Sequence, residues 1–148
     1  MPAEPLVIRK GHCALRAKES GPAALLLELA VYPGSGKPLR RRFEFGGWER
    51  LCELIYALDL AMRGELARVI HWHDPKHGTV AMLYFRYEDY GDGDLKGRIY
   101  LKLLEGDGIR KPESERTDAE STRVRLTRLE AFKLRMLAQQ VLMNGSAV

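Results

Sequence analysis

The first half of the chain changes from the hydrophobic period of β-strands to that of a helix. Four segments have the apolar runs or the alternation typical of strands, and turn residues separate them. These predicted strands are 6–10, 13–18, 23–32 and 39–45. After Gly46 and Gly47, apolar residues recur at three- and four-residue spacing. This spacing predicts an amphipathic helix from Trp48 to Met62.

The second half repeats this order of elements. Its predicted strands are 68–72, 79–88, 98–104 and 123–126, and its predicted helix is 129–143. The segment 106–122 is almost entirely polar and predicts a long loop before the last strand. The predicted fold class is therefore α+β, with two repeats of a four-stranded antiparallel sheet plus a C-terminal helix (ββββα-ββββα). We expect the units 1–64 and 65–148 to pack as one pseudo-symmetric domain.

The composition is that of a globular protein rather than a disordered or membrane-spanning one. Of 148 residues, 45% are hydrophobic and 30% are charged, and the formal net charge is +4. No apolar run approaches the roughly 20 residues that a membrane helix needs, and the N-terminal segment has no signal-peptide pattern. Cys13 and Cys52 match no zinc spacing. We therefore expect a cytoplasmic protein with reduced cysteines, no membrane partner and no cofactor.

Cations and tyrosines occupy polar positions of the predicted strands in both halves. The candidate binding residues of the first half are Arg16, Lys18, Tyr32, Lys37, Arg40, Arg41 and Arg42. Those of the second half are Tyr84, Arg86, Arg98, Tyr100, Lys102, Arg123 and Arg125. Cations that follow phosphates and rings that stack on unpaired bases are typical of a surface for single-stranded nucleic acid. The plainer alternative is that half-buried sheets have polar residues on one face, where Lys and Arg also prevent edge-to-edge aggregation.

The segment KPLRRRFEFGGWERLCELIYALDLAM (37–62) joins a basic hairpin to a strand and to a helix that opens with a tryptophan. It resembles the single-stranded-DNA-binding coactivators of the positive-cofactor-four type, and two such units in one chain are similar to the Whirly and Pur-alpha relatives. The resemblance implies four strands and a helix per unit, with paired units presenting curved sheets to single strands. It places the family's basic hairpin on Lys37, Arg40, Arg41 and Arg42, and its helix-anchoring aromatic on Trp48, which we expect in the core.

The second half departs from the family's pattern. Its last hairpin is long and partly acidic, its helix begins with Leu129 instead of a tryptophan, and the consecutive lysines of the Whirly proteins are absent from the chain.

Three of the four histidines lie within HWHDPKH (71–77), which suggests metal binding as a different function. In a regular strand His71 and His73 share one side, and a turn at Asp74-Pro75 could return His77 to them. Three ligands are enough for a zinc site, so these three histidines are candidate metal ligands. However, the H-x-H-x-x-x-H spacing does not match the H-x-H-x-D-H of metallo-hydrolases. A structural or surface role is the favoured interpretation.

Together these patterns favour a non-enzymatic protein that binds single-stranded DNA or RNA, with DNA as the favoured ligand and with little sequence readout. Two alternatives stay open. The first is a protein–protein interaction or assembly module, in which the basic strands meet an acidic partner or another subunit. The second is a small metal-binding protein that uses the HWHDPKH segment. The helix faces fit packing within one chain as well as packing across a homo-oligomer.

Overall fold

The protein has a mixed α+β fold of antiparallel strands and two helices. The computed structural model describes the backbone of residues 3–32, 36–74, 79–88, 98–105, 111–115 and 121–146. Within these ranges it describes the side chains of residues 3–32, 36–69, 83–87, 111–112, 114–115 and 122–145.

The first sheet has the strand order β1-β2-β3-β4, and each strand pairs antiparallel with the next. Its strands are β1 (Leu6–Lys10), β2 (Cys13–Gly21), β3 (Ala24–Val31) and β4 (Leu39–Gly46). Helix α1 (Trp48–Met62) follows directly after Gly47. The φ of Gly47 is 96°, a left-handed conformation that glycine adopts without strain, and this turn redirects the chain from strand to helix.

The remaining strands pair antiparallel in the order β5-β6-β7-β8. They are β5 (Ala67–Asp74), β6 (Thr79–Glu88), β7 (Arg98–Glu105) and β8 (Ser121–Leu126). A short 3-10 turn (Glu113–Glu115) precedes β8, and helix α2 (Arg128–Ser146) follows it.

Alternation along the strands brings one face of each sheet into a single hydrophobic core. Along β3, for example, Leu25, Leu27 and Leu29 occupy every second position and are fully buried. The same cluster contains residues of the second sheet, such as Val69 and Phe85, and leucines of both helices. Most polar side chains of the described strand residues lie on the opposite faces.

Each helix packs against strands from the other half of the chain. Helix α1 contacts β5 and β6 as well as β4, and helix α2 contacts β1, β2 and β3 as well as β7 and β8. The helices also contact each other, and Arg135 Nε of α2 donates a hydrogen bond of 2.9 Å to Asp59 Oδ1 of α1. Neither half has its complete core without the other.

A capping box begins helix α2. The backbone N–H of Glu130 donates to Thr127 Oγ1 over 3.1 Å, and the backbone N–H of Thr127 donates to Glu130 Oε1 over 2.9 Å. Lys10 Nζ of β1 lies 2.6 Å from the same Glu130 oxygen, which ties the start of the helix to the first sheet. Burial acts to raise the pKa of the Glu130 carboxyl, but the hydrogen bonds from Lys10 and Thr127 outweigh it and lower the pKa below its ordinary value.

The α+β class predicted from sequence is confirmed, and the element bounds agree closely. Strands 6–10 and 79–88 have the predicted bounds, whereas α2 is longer than the predicted 129–143. That the two halves are repeats of one unit stays a prediction. The expectation that Trp48 lies in the core is wrong, because its side chain is 59% exposed. Trp48 is the first residue of α1, and the first helix residue to reach the core is Leu51.

Candidate nucleic-acid interface

Four cations lie on the outward face of the first sheet. Arg16 and Lys18 of β2, and Arg40 and Arg42 of β4, are all exposed, while the residues between them along each strand point inward or are half-buried. Strand alternation is the cause, since the core face of β2 and β4 is already occupied by residues such as Leu15 and Phe43.

The carboxylate of Glu28 on β3 lies between the cations of β2 and those of β4. The strand register pairs Arg16 with Glu28 and Glu28 with Arg42, so one row crosses β2, β3 and β4. Arg42 Nε donates a hydrogen bond of 2.7 Å to Glu28 Oε2. Glu28 is 8% exposed and is one of the two buried polar residues among those the structure describes. The ion pair offsets the cost of burying its charge.

These side chains surround a concavity of about 370 Å³ on the outward face, which we call the sheet-1 concavity. Its polar lining consists of Arg16, Lys18, Arg40, Arg42 and Glu28. Its apolar lining includes Pro5, Leu6 and Val7 from the N-terminal edge and Leu26 from β3. Of the four cations, only Arg42 forms an ion pair within the described part of the chain. The sheet-1 concavity thus combines an apolar ledge with a strong excess of positive charge.

The remaining first-half candidates lie apart from this concavity. Arg41 pairs in register with the fully buried Leu29, which puts it on the core side of β4, and its side chain is half-buried. Its guanidinium Nη1 donates to the backbone oxygen of Arg40 over 3.1 Å. Lys37 is exposed ahead of β4. Tyr32 is half-buried just after β3, where its N–H donates to the His12 carbonyl over 2.6 Å.

The second sheet also carries cations on its outward face. Arg86 of β6 and Arg123 and Arg125 of β8 are exposed, and Tyr84 of β6 is half-buried. The Arg68 guanidinium of β5 lies 5.7 Å from the centroid of the Tyr84 ring, a cation–π contact. Arg68 is not among the candidates predicted from sequence, although alternation in the predicted strand 68–72 places it on this face.

The register of the second sheet aligns the candidate positions in two rows. One row pairs Tyr84 with Lys102 and Lys102 with Arg123. The other pairs Arg86 with Tyr100 and Tyr100 with Arg125. Arg98, the first residue of β7, is the register partner of Glu88, the last residue of β6. The backbone positions of Arg98, Tyr100 and Lys102 are described, whereas their side chains lie outside the described residues.

A second concavity, of about 210 Å³, lies where the two sheets meet. Lys10 and Cys13 of the first hairpin line it together with Arg123, Val124 and Arg125 of β8. Burial raises the pKa of the Cys13 thiol above its ordinary value, and the charge of Arg123 only partly opposes this. The thiol therefore stays protonated at neutral pH and is a poor nucleophile.

The metal-site prediction falls mostly outside the described residues. His77 is outside them, as are the side chains of His71 and His73. The backbone register of β5 shifts between Trp72 and Asp74, so regular alternation is interrupted at His73. Among the residues that the structure does describe, no group of three His, Cys, Asp or Glu could hold a metal ion.

Comparison with protein-family models, curated proteins and solved structures finds no match to this chain. The resemblance of residues 37–62 to the single-stranded-DNA-binding coactivators therefore stays a prediction. Within the described residues, no helix is long and apolar enough to cross a membrane.

Proposed function

We propose that this chain is a non-enzymatic protein that binds single-stranded nucleic acid, with DNA as its main ligand. The observation that carries the proposal is the sheet-1 concavity, where Arg16, Lys18, Arg40 and Arg42 surround an apolar ledge. Backbone phosphates release counterions when they meet such cations, and this supplies most of the affinity. Unpaired bases can reach an apolar ledge, whereas the bases of a duplex are paired and stacked inside the double helix. The arrangement therefore favours a single strand.

The outward face of the second sheet extends the proposed surface. Its exposed cations, Arg86, Arg123 and Arg125, would contact further phosphates. Arg68 is exposed above the Tyr84 ring, and a base could stack on its guanidinium. Stacking contributes a modest binding free energy, on the order of 1–3 kcal/mol for each stacked base. A nucleic-acid strand that contacted both sheets at once would bind more tightly than one that contacted either sheet alone.

The proposal includes a duplicated architecture. The order of four strands followed by a helix occurs before and after residue 64, which supports two repeats of one ββββα unit at 1–64 and 65–148. The interlocked packing of each helix on the other half's strands supports one pseudo-symmetric domain. Both features agree with what the family resemblance implies.

The binding proposal is tested by removing two cations of the sheet-1 concavity. The double variant Arg16→Ala/Arg40→Ala should weaken binding of a labelled single-stranded oligonucleotide by roughly tenfold, since each exposed ion pair with a phosphate contributes up to about 1 kcal/mol and about 1.4 kcal/mol is a tenfold change in affinity. The slope of log K against log salt should flatten by about 1.4, or about 0.7 for each lost phosphate contact. Fluorescence anisotropy across a salt series measures both quantities.

A matched control removes the same charge from helix α2 and from the residue that follows α1. Arg63→Ala/Lys133→Ala deletes two exposed cations that lie outside the sheet-1 concavity. Its affinity and salt slope should stay close to those of the unmodified protein. Equal losses in the two double variants would mean that net charge alone, rather than the outward face of the first sheet, attracts the strand.

A second candidate function is assembly through helix α2, with a second copy of the chain as the partner. Leu129, Phe132, Met136 and Met143 of α2 are exposed apolar side chains, each at least 46% exposed. Their spacing corresponds to positions a, d, a and a of successive heptads, the pattern of a two-helix seam. This surface belongs to the helices and leaves the outward sheet faces accessible, so it is compatible with the binding proposal.

A further inference from the structure

The buried carboxylate of Glu28 is at odds with a concavity that only binds phosphates. A carboxylate beside a phosphate is repulsive, so Glu28 lowers the affinity that the four surrounding cations provide. Its desolvation is also costly. A site selected for phosphate alone would be better served by a neutral residue at the centre of β3. The position of Glu28 therefore points to a hydrogen-bond donor on the ligand.

The carboxylate of Glu28 has acceptor capacity to spare. An ionised carboxylate accepts through two oxygens with about four lone-pair sites. Within the described residues, one hydrogen bond reaches it, from Arg42 Nε to Oε2. The Arg42 side chain remains 61% exposed, so Arg42 can hold Glu28 and still contact a phosphate. Both residues line the sheet-1 concavity.

The sheet-1 concavity has room and lining for one nucleotide. Its volume of about 370 Å³ falls within the roughly 300–1,000 Å³ of small-molecule sites. Val7 and Leu26 offer an apolar ledge for the face of a base, and Val7 is 51% exposed. Arg16 and Lys18 of β2 also line the concavity, where they can contact the phosphate of that nucleotide. A base that rests on the ledge would turn its polar edge toward Glu28.

We propose that Glu28 selects bases that carry an exocyclic amino group, with cytosine as the clearest case, over uracil and thymine. This inference rests on the proposed single-strand binding. A carboxylate is a suitable acceptor for the cytosine N4 amino group. Uracil and thymine have a carbonyl oxygen at that position, which repels a carboxylate, and their single N3–H lies between two such oxygens. The protein thus discriminates at one position of a strand that it otherwise binds through the backbone.

The test compares two oligonucleotides that differ in little besides this group. Oligo-deoxycytidine and oligo-deoxyuridine of equal length are titrated by fluorescence anisotropy at one low salt concentration and about pH 8, where cytosine is unprotonated. The unmodified protein should bind oligo-deoxycytidine about five- to tenfold more tightly, the lower range expected for a single base contact. Glu28→Gln should bind both at least as tightly as before, because a negative charge is gone, and the preference should fall to about twofold or less.

A matched control removes a different carboxylate from the same sheet face. Glu44 of β4 is exposed and does not line the sheet-1 concavity. Glu44→Gln should strengthen binding of both oligonucleotides slightly and leave the preference for cytosine unchanged. Thermal melting of each variant verifies that it is folded, and the preference of the unmodified protein is informative without any variant.

The outcomes separate this inference from the binding proposal. Equal affinity of the unmodified protein for the two oligonucleotides, or a preference that Glu28→Gln leaves intact, would overturn the role of Glu28 and leave single-strand binding standing. In that case Glu28 only positions Arg42. Failure of both oligonucleotides to bind at low salt would overturn the binding proposal and this inference with it.

Discussion

At the scale of single residues, alternation along a strand decides which cations can act together. The run of three arginines in β4 is consecutive in sequence, yet Arg40 and Arg42 face outward and Arg41 faces the core side. The resemblance to a basic hairpin gave all three the same role, whereas the two-residue period separates them. The outward cations Arg16, Lys18, Arg40 and Arg42 were all identified from sequence.

Burial of single residues was harder to predict than the direction in which they point. The near-complete burial of Glu28 depends on the side chains of the neighbouring strands, which the sequence of β3 alone does not reveal. The family resemblance predicts Trp48 in the core as the aromatic that anchors the helix, but a residue at the first position of a helix can remain outside the core. Neither outcome is encoded in local spacing.

One residue-scale prediction concerns Gly145 near the end of α2. A Cβ at this position would lie 2.5 Å from the backbone nitrogen of Ala23, in the turn between β2 and β3. Gly145→Ala should therefore destabilise the protein by about 1–3 kcal/mol, as overpacking does. The sign of the change in unfolding free energy is informative, since a Gly→Ala change in an unobstructed helix stabilises a protein by up to about 1 kcal/mol. Chemical denaturation measures the difference.

Gly46→Ala is the matched control for this change. A Cβ there would be 3.6 Å from Glu44 Oε1, an ordinary contact. Its free energy of unfolding should stay within about 0.5 kcal/mol of the unmodified protein. A Gly145→Ala variant as stable as this control would show that α2 does not approach the turn so closely.

At the scale of elements, the hydrophobic period predicted where strands and helices lie, and local chemistry fixes where they end. The signature T-x-x-E at Thr127 and Glu130 stands in the sequence and forms the capping box observed. The ion pair of Glu130 with Lys10 could not be foreseen, because it joins elements at opposite ends of the chain. Likewise, the register that aligns Arg16, Glu28 and Arg42 follows from strand pairing rather than from any one strand.

The lowered pKa of Glu130 predicts a pH-dependent contribution to stability. A carboxyl whose pKa is lower in the folded protein stabilises it above the unfolded value of about 4.3, and this contribution is lost as the pH falls through the folded value. Glu130→Gln should cost roughly 1 kcal/mol at neutral pH. The difference in free energy of unfolding between this variant and the unmodified protein should become smaller below about pH 4. Urea denaturation at neutral and acidic pH measures this difference.

The control for this prediction is Glu53→Gln on helix α1. Glu53 forms a more exposed ion pair, with Arg50 Nη1 at 3.2 Å, and its loss should change stability by less than about 0.5 kcal/mol. If the deficit of Glu130→Gln were the same at neutral and acidic pH, the charge of Glu130 would not be the source of its contribution.

At the scale of the whole molecule, the interlocking of the two halves lies beyond what sequence patterns reveal. The order of elements predicted the two groups of strands, but not that α1 would pack on β5 and β6 while α2 packs on β1, β2 and β3. Among the described residues, outward cations of both sheets, such as Arg42 and Arg125, stay exposed. The packing also leaves an exposed apolar stripe on α2, because one side of that helix already meets the core.

The apolar stripe predicts self-association. If a second copy covers it, the protein should be a dimer in solution, and Phe132→Glu should convert it to a monomer with little change in unfolding temperature. The reason is that the seam would then place a carboxylate against apolar side chains. Light scattering coupled to size-exclusion chromatography measures the molar mass of each form.

Leu66→Glu serves as the control for self-association. It replaces another exposed apolar residue, in the connection between α1 and β5, with the same charge. This variant should remain a dimer. A monomeric unmodified protein at high concentration would contradict assembly through α2 and leave nucleic-acid binding unaffected.

An apolar ledge surrounded by cations should bind single-stranded nucleic acid. This binding is tested most directly by anisotropy titrations of the unmodified protein with labelled single-stranded and duplex oligonucleotides, in DNA and RNA, across a salt series. We expect single-stranded DNA to bind more tightly than duplex DNA of the same sequence, with an affinity that falls as salt rises. Absence of binding at low salt, where the charges are least screened, would contradict the account.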